Sequence, residues 1–162
     1  MVETVFVGGD PGASSEYSSK YPKADAFKQN RVGPHWGWVS KSDEKDKPPV
    51  YIWYDFKRQL RPAKISYLPR SHISVVIANR VRVKGFQFVG TDDPSCSKNS
   101  NWKVLCGGES APYKSIDDER GCTVPVKQNM GVFHCLGLRS LVKSDGLEGA
   151  VSLRGIRIWI YQ

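Results

Sequence analysis

What this chain has least of is helical periodicity. No window repeats apolar residues at the i, i+3, i+4 spacing of an amphipathic helix, so a helical bundle or an alternating helix–strand body is not expected. No apolar run approaches the roughly 18 to 20 residues of a membrane span. Histidine is scarce: His35, His72 and His134 are the full set, and none is spaced i, i+4 for a helical metal motif. The chain has no G-x-S-x-G, no phosphate-binding glycine loop and no dinucleotide fingerprint. Ser71 and His72 are adjacent, but neighbours on a strand face opposite sides, so they are not a nucleophile and its base. Catalysis is therefore not expected. The four cysteines, Cys96, Cys106, Cys122 and Cys135, include no C-x-x-C pair, which weighs against a four-cysteine zinc site. The N-terminal "MVETVFVGGDPG" lacks a basic n-region and an apolar stretch, so no export signal is visible. That leaves an intracellular protein or a trimmed chain whose Met1 is an added start.

What is present bounds a globular body. The 162 residues suit one domain, taken as 1–162, and 40% hydrophobic content rules out disorder. The even cysteine count permits two disulfides in three connectivities, with Cys96–Cys106 and Cys122–Cys135 as a first guess and free buried thiols as the other option. A net charge of +8 favours anionic partners, namely sulfated polysaccharide or anionic lipid, without choosing between them. No nucleic-acid module accompanies the charge, so nucleic acid is not expected.

Strand patterns dominate. In "YIWYDF", Ile52, Tyr54 and Phe56 alternate with Tyr51, Trp53 and Asp55. Neither face is polar, so the strand should be covered on both sides. "AKISYLPR" reads as a second strand after a turn-rich link, "KRQLRP". "ISVVIANRV" reads as strand, or as a loop lying over the sheet. "RVRVKGFQFVG", "NWKVLCGG", "VFHCLGLRSLV" and "VSLRGIRIWIYQ" complete the set. The apolar phase changes at Gly85 and Gly155, which marks bulges or strand starts. "YPKADAFKQN" and "APYKSIDDER" each allow one short helical turn. The expected fold is an all-β jelly-roll sandwich of about eight main strands.

Function should sit on the long connections. In "VGPHWGWVSKSDEKDKPPVY", Trp36 and Trp38 flank Gly37 after His35. A Trp ring stacks on the apolar face of a sugar, or else plugs the end of the sandwich. "SYLPRSHIS" adds Arg70 and His72, and Arg suits bidentate contacts with carboxylate or sulfate. Arg80, Arg82 and Lys84 would make a basic stripe if their segment is a strand.

These segments together resemble the discoidin domain, the coagulation-factor type C domain of the galactose-binding-like group. The likeness lies in "SSEYSSKYPKADAFKQN", "HWGW", "VYIWYDFKRQLRPAKISYLPR", "GFQFVGTDDPSC" with "WKVL", and the closing "LRGIRIWIYQ". The resemblance implies ligand-binding loops at one end of the sandwich and a glycan or glycoprotein partner, with protein adhesion as the alternative. It also implies an extracellular or cell-surface setting. Arg139 and Arg154 match structural arginines of the family. Some relatives hold calcium in the opening loop, but here the corresponding residues are Lys28 and Gln29, so no metal or other cofactor is expected.

Overall fold

One strand belongs to both layers of the structure. The computed structural model describes residues 1–28, 37–70, 74–108, 111–142 and 149–162. Its strands are β1 (Val2–Glu3), β2 (Asp10–Ala13), β3 (Trp38–Val39), β4 (Val50–Leu68), β5 (Lys84–Thr91), β6 (Lys103–Gly107), β7 (Arg120–Thr123), β8 (Phe133–Val142) and β9 (Ser152–Tyr161). A 3-10 turn at Lys23–Phe27 and a helix α1 at Val75–Arg80 are added. The first half of β4 pairs with β2 and β8, and β8 continues through β5 to β6. The second half pairs with β9 and β7, and β9 carries β1 and β3. All of these pairings are antiparallel.

Drawn straight, the 19 residues of β4 would reach about 60 Å. They fold back instead. Ser14, whose amide donates to Tyr51, is followed by Ser15, whose carbonyl accepts from the Trp38 indole. Trp38 pairs with Leu153, beside the Arg154 that pairs with Leu68, so both ends of β4 share one end of the sandwich. The corner lies between Asp55 and Leu60, where the pairing with β8 shifts register. Lys57 takes φ 57° there, and the Asp55 carboxylate accepts its amide. The expected link between two strands is thus the corner of a continuous one.

The two layers meet over one apolar core. Ile52, Tyr54, Phe56, Phe88, Leu136 and Leu138 come from one side, and Ile65, Tyr67, Ile156, Ile158 and Ile160 from the other. The opposite face of β4 is covered too, as its lack of polar residues predicts. Residues 92–102 lie over it, with Trp102 at 5.5 Å from the Tyr51 ring and 5.6 Å from that of Trp53. Gly85 and Gly155, where the apolar phase changes, both adopt φ 60°, which glycine takes without strain.

Several expectations are corrected. Val75–Arg80 is helix rather than strand. Ser74 caps it by accepting the Ile77 amide, Ala78 is its buried residue, and it joins no sheet pairing among the described residues. Arg80 therefore ends a helix, Arg82 donates to the Asn79 carbonyl and Lys84 opens β5, so the three do not form a strand stripe. "APYKSIDDER" forms turns, and its last residue begins β7. All four cysteines are paired, but as Cys96–Cys135 and Cys106–Cys122. Sequence spacing could not show that β6 reaches β7 across the two layers, or that residues 92–102 fold onto β8.

Removing the Trp102 ring uncovers Tyr51 and Trp53. Trp102→Ala should lower unfolding free energy by about 2–4 kcal/mol in urea titration. A second expectation concerns acid. The Asp118 carboxyl is held below its ordinary value by hydrogen bonds from Arg120 and the Lys114 amide, against a smaller opposing effect of burial. Its contribution is present above the unfolded value near 4 and is lost as pH falls through the folded one. Discounted for solvent screening, Asp118→Asn should therefore cost up to about 1 kcal/mol near neutral pH and progressively less as pH falls below about 4, read from urea midpoints across that range.

Candidate functional site at one end of the sandwich

The end that gathers both termini of β4 also carries the two candidate binding residues that are described, Trp38 and Arg70. Arg70 leaves β4 just after the buried Pro69. Its guanidinium carbon lies 4.7 Å from the centroid of the Tyr21 ring. Its Nε is buried and has no hydrogen-bond partner among the described residues. Tyr21 packs against the small apolar cluster of Val39, Val81 and Ala150, which fixes its ring beside Arg70. Tyr17 meets Tyr21 edge-on at 6.0 Å and keeps 61% of its surface exposed.

The segment bearing these tyrosines is pinned at several points. The Tyr17 amide donates to Val39, and the Trp38 indole donates to the Ser15 carbonyl at 2.8 Å. The Ser15 hydroxyl donates to Asp46 at 2.6 Å, and the Ser14 hydroxyl donates to the same oxygen. Asp46 is buried, and its other oxygen is 2.6 Å from Lys98 Nζ. A buried carboxylate needs such donors, and here they fasten the opening segment, residues 41–47 and residues 92–102 together.

This geometry corrects one expectation. Trp38 is wholly buried, its backbone paired with Leu153 and its carbonyl taken by the Ser152 hydroxyl. It has no free ring face for a sugar, and it anchors the segment that presents the tyrosines. His35, Trp36 and His72 lie outside the described residues. Arg80, Arg82 and Lys84 belong to this same end, since the residue between the first two, Val81, accepts from the Ser152 amide and packs by Tyr21. Tyr17 and Tyr21 were missed as site residues. Two tyrosines four apart in "SSEYSSKYPK" were the available signal.

Arg139 donates to Gln87 and to the Tyr51 hydroxyl, and Arg154 donates to the Ile116 carbonyl, so both brace the frame. In the opening loop the Lys28 ammonium stands 3.1 Å from the buried Asp25 carboxylate. An acid already neutralised by a lysine does not fit a calcium site. At the opposite end Asp55 and His134 lie beside the Cys96–Cys135 disulfide, whose sulfurs are bonded to each other.

The two layers and their pairing order are the fold of discoidin-like, galactose-binding-like β-sandwiches. Solved structures share it over nearly the whole chain. The family 32 carbohydrate-binding module of Clostridium perfringens NanJ, solved with galactose, is 12% identical with a TM-score of 0.66, covering 97% of each chain. A second family 32 module, from a family 31 glycoside hydrolase of Clostridium perfringens, is 18% identical with a TM-score of 0.70, covering 99% of this chain and 96% of that one. An F5/8 type C domain from Bacteroides fragilis is 9% identical with a TM-score of 0.68, covering 99% and 97%. No family model matches the sequence, and no curated protein matches it.

Trp38→Phe keeps the buried ring and deletes the indole donor, leaving the Ser15 carbonyl without it. The expected cost is about 1–2 kcal/mol in denaturant titration, with faster amide exchange confined to residues 14–21.

Proposed function

We propose that residues 1–162 form one non-catalytic carbohydrate-binding module whose ligand docks at the end carrying Arg70. The observation that carries this is the Arg70–Tyr21 pair, whose guanidinium Nε has no partner among the described residues, beside the exposed Tyr17. An aromatic face takes the C–H side of a sugar ring, and guanidinium N–H groups donate to its hydroxyl or acid oxygens. His35 and Trp36, which precede Gly37, and His72, two residues past Arg70, are the further proposed contacts. Gly37 and Arg70 are neighbours, since a Cβ on Gly37 would lie 3.5 Å from Arg70 Cγ. The fold supports the reading: similar modules were solved with galactose and with GalNAc-β-1,3-galactose. The partner is a glycan or glycoprotein. Two disulfides suit an extracellular, adhesive or lectin-like setting.

The charge of +8 favours an anionic glycan as the second reading. Cations also crowd the aromatic rings of the β9 layer, where Lys64 and Arg157 lie over Trp159 and Arg61 over Tyr161.

A glycan array followed by calorimetry tests both. Arg70→Ala should weaken sugar binding at least tenfold while the melting temperature moves by less than about 3 °C. Neutral-sugar affinity should hold from low to physiological salt, whereas binding through surface charge should weaken steeply. Folded protein that binds no glycan at either salt overturns the proposal.

A further inference from the structure

At the corner end, away from Arg70, four side chains with metal-binding atoms converge. β4 brings Asp55, β8 brings His134 and Cys135, and residues 92–102 bring Cys96. One donor atom from each lies within 4.8 Å of all the others, and no second such group forms among the described residues. Asp55 and Cys135 are cross-strand partners, so the sheet itself sets two of the four. His134 Nδ1 is 3.0 Å from Asp55 Oδ1, 3.5 Å from Cys135 Sγ and 3.9 Å from Cys96 Sγ. His134 Nε2 lies 2.6 Å from the Asp93 carbonyl oxygen. A carbonyl and an ionised carboxylate both only accept, so each ring nitrogen carries a hydrogen, Nε2 toward Asp93 and Nδ1 toward Asp55, and Nδ1 is the atom facing the cluster. Metal-binding histidines are oriented in this manner, by a hydrogen bond from the far ring nitrogen.

We propose that reduction of the Cys96–Cys135 disulfide turns this cluster into a binding site for a zinc-class divalent metal, with Asp55 Oδ1, His134 Nδ1 and the two thiolates as ligands. A dithiol or phosphine reductant supplies the electron pair. With a dithiol, the S–S bond breaks, each cysteine gains a proton and the reductant closes its own disulfide; with a phosphine, water supplies both protons and its oxygen leaves on the phosphine oxide. The metal then displaces both thiol protons and the His134 Nδ1 proton to solvent. A tetrahedron with bonds of about 2.0–2.3 Å has edges of about 3.3–3.8 Å. The three distances from His134 Nδ1, 3.0, 3.5 and 3.9 Å, already bracket that range. The two sulfurs must separate, which a broken bond allows, and an Asp55 carboxylate oxygen already lies within 4.8 Å of both. Thiolate with imidazole selects zinc over calcium or magnesium. Residues 92–102 would then stay fastened to β8 by a metal when the covalent link is gone, and Tyr51 and Trp53 would stay covered.

The full chain is reduced with a phosphine and titrated with cobalt(II) as the probe. One cobalt should bind per chain, with a thiolate-to-cobalt charge-transfer band and visible tetrahedral d–d bands. The unreduced chain should show neither. Cys96→Ser should lose the charge-transfer intensity by about half or more, and His134→Ala should lose the tetrahedral spectrum. Alkylation mapping on the reduced unmutated chain keeps the test independent of how the variants fold. Zinc should shield Cys96 and Cys135 and leave Cys106 and Cys122 reactive. No metal uptake after reduction, equal shielding of all four cysteines, or a spectrum unchanged in Cys96→Ser would each overturn the proposal.

Discussion

The fold-back of residues 50–68 is the constraint from which the rest follows. A strand shared by two layers fixes their separation and their relative register in one stroke. Its aromatic half is buried on both faces, so it requires a partner layer inside and a cover outside. The cover is the 92–102 segment, held by Trp102, by Cys96 and by the Lys98–Asp46 ion pair. That ion pair in turn ends on the carboxylate that grips Ser14 and Ser15. Packing at the centre of the sheet is thereby linked, contact by contact, to the segment that carries Tyr17 and Tyr21.

Most of the architecture was legible because its signals are local. Period-two alternation in "YIWYDF" and "IRIWIY" gives both the strands and their inward faces, and the phase changes locate Gly85 and Gly155. The misreadings share a cause in long-range pairing. Val75–Arg80 is rich in β-branched residues, yet it joins no described strand, and a serine cap with a buried alanine accompanies the short helix it forms. β7 is four residues long and exists because the second half of β4 offers an edge. Disulfide partners depend on which strands become neighbours, and spacing is silent on that.

The candidate site was half legible. Arg70 follows a strand end and a proline, a place where side chains are presented rather than packed, and it does meet an exposed aromatic pair. Trp38 has the same residue type and the same loop context as a sugar-stacking tryptophan, yet it is fully buried. The difference lies in two backbone pairings with β9 and an indole bond to Ser15, none of which leaves a mark in sequence. A tryptophan in a loop and a tryptophan in a two-residue strand read alike until the strand it joins is known.

The pairing of β1 with β9 sets Val2 against Ile160, so the first and last of these 162 residues lie together beside the corner of β4. From Arg154, near Arg70, to Tyr161 the strand advances about 23 Å. A bead, a surface or a fused protein attached at either terminus would therefore hold the molecule by its far pole. Arg70 and the two tyrosines would face away from the attachment, into open solution.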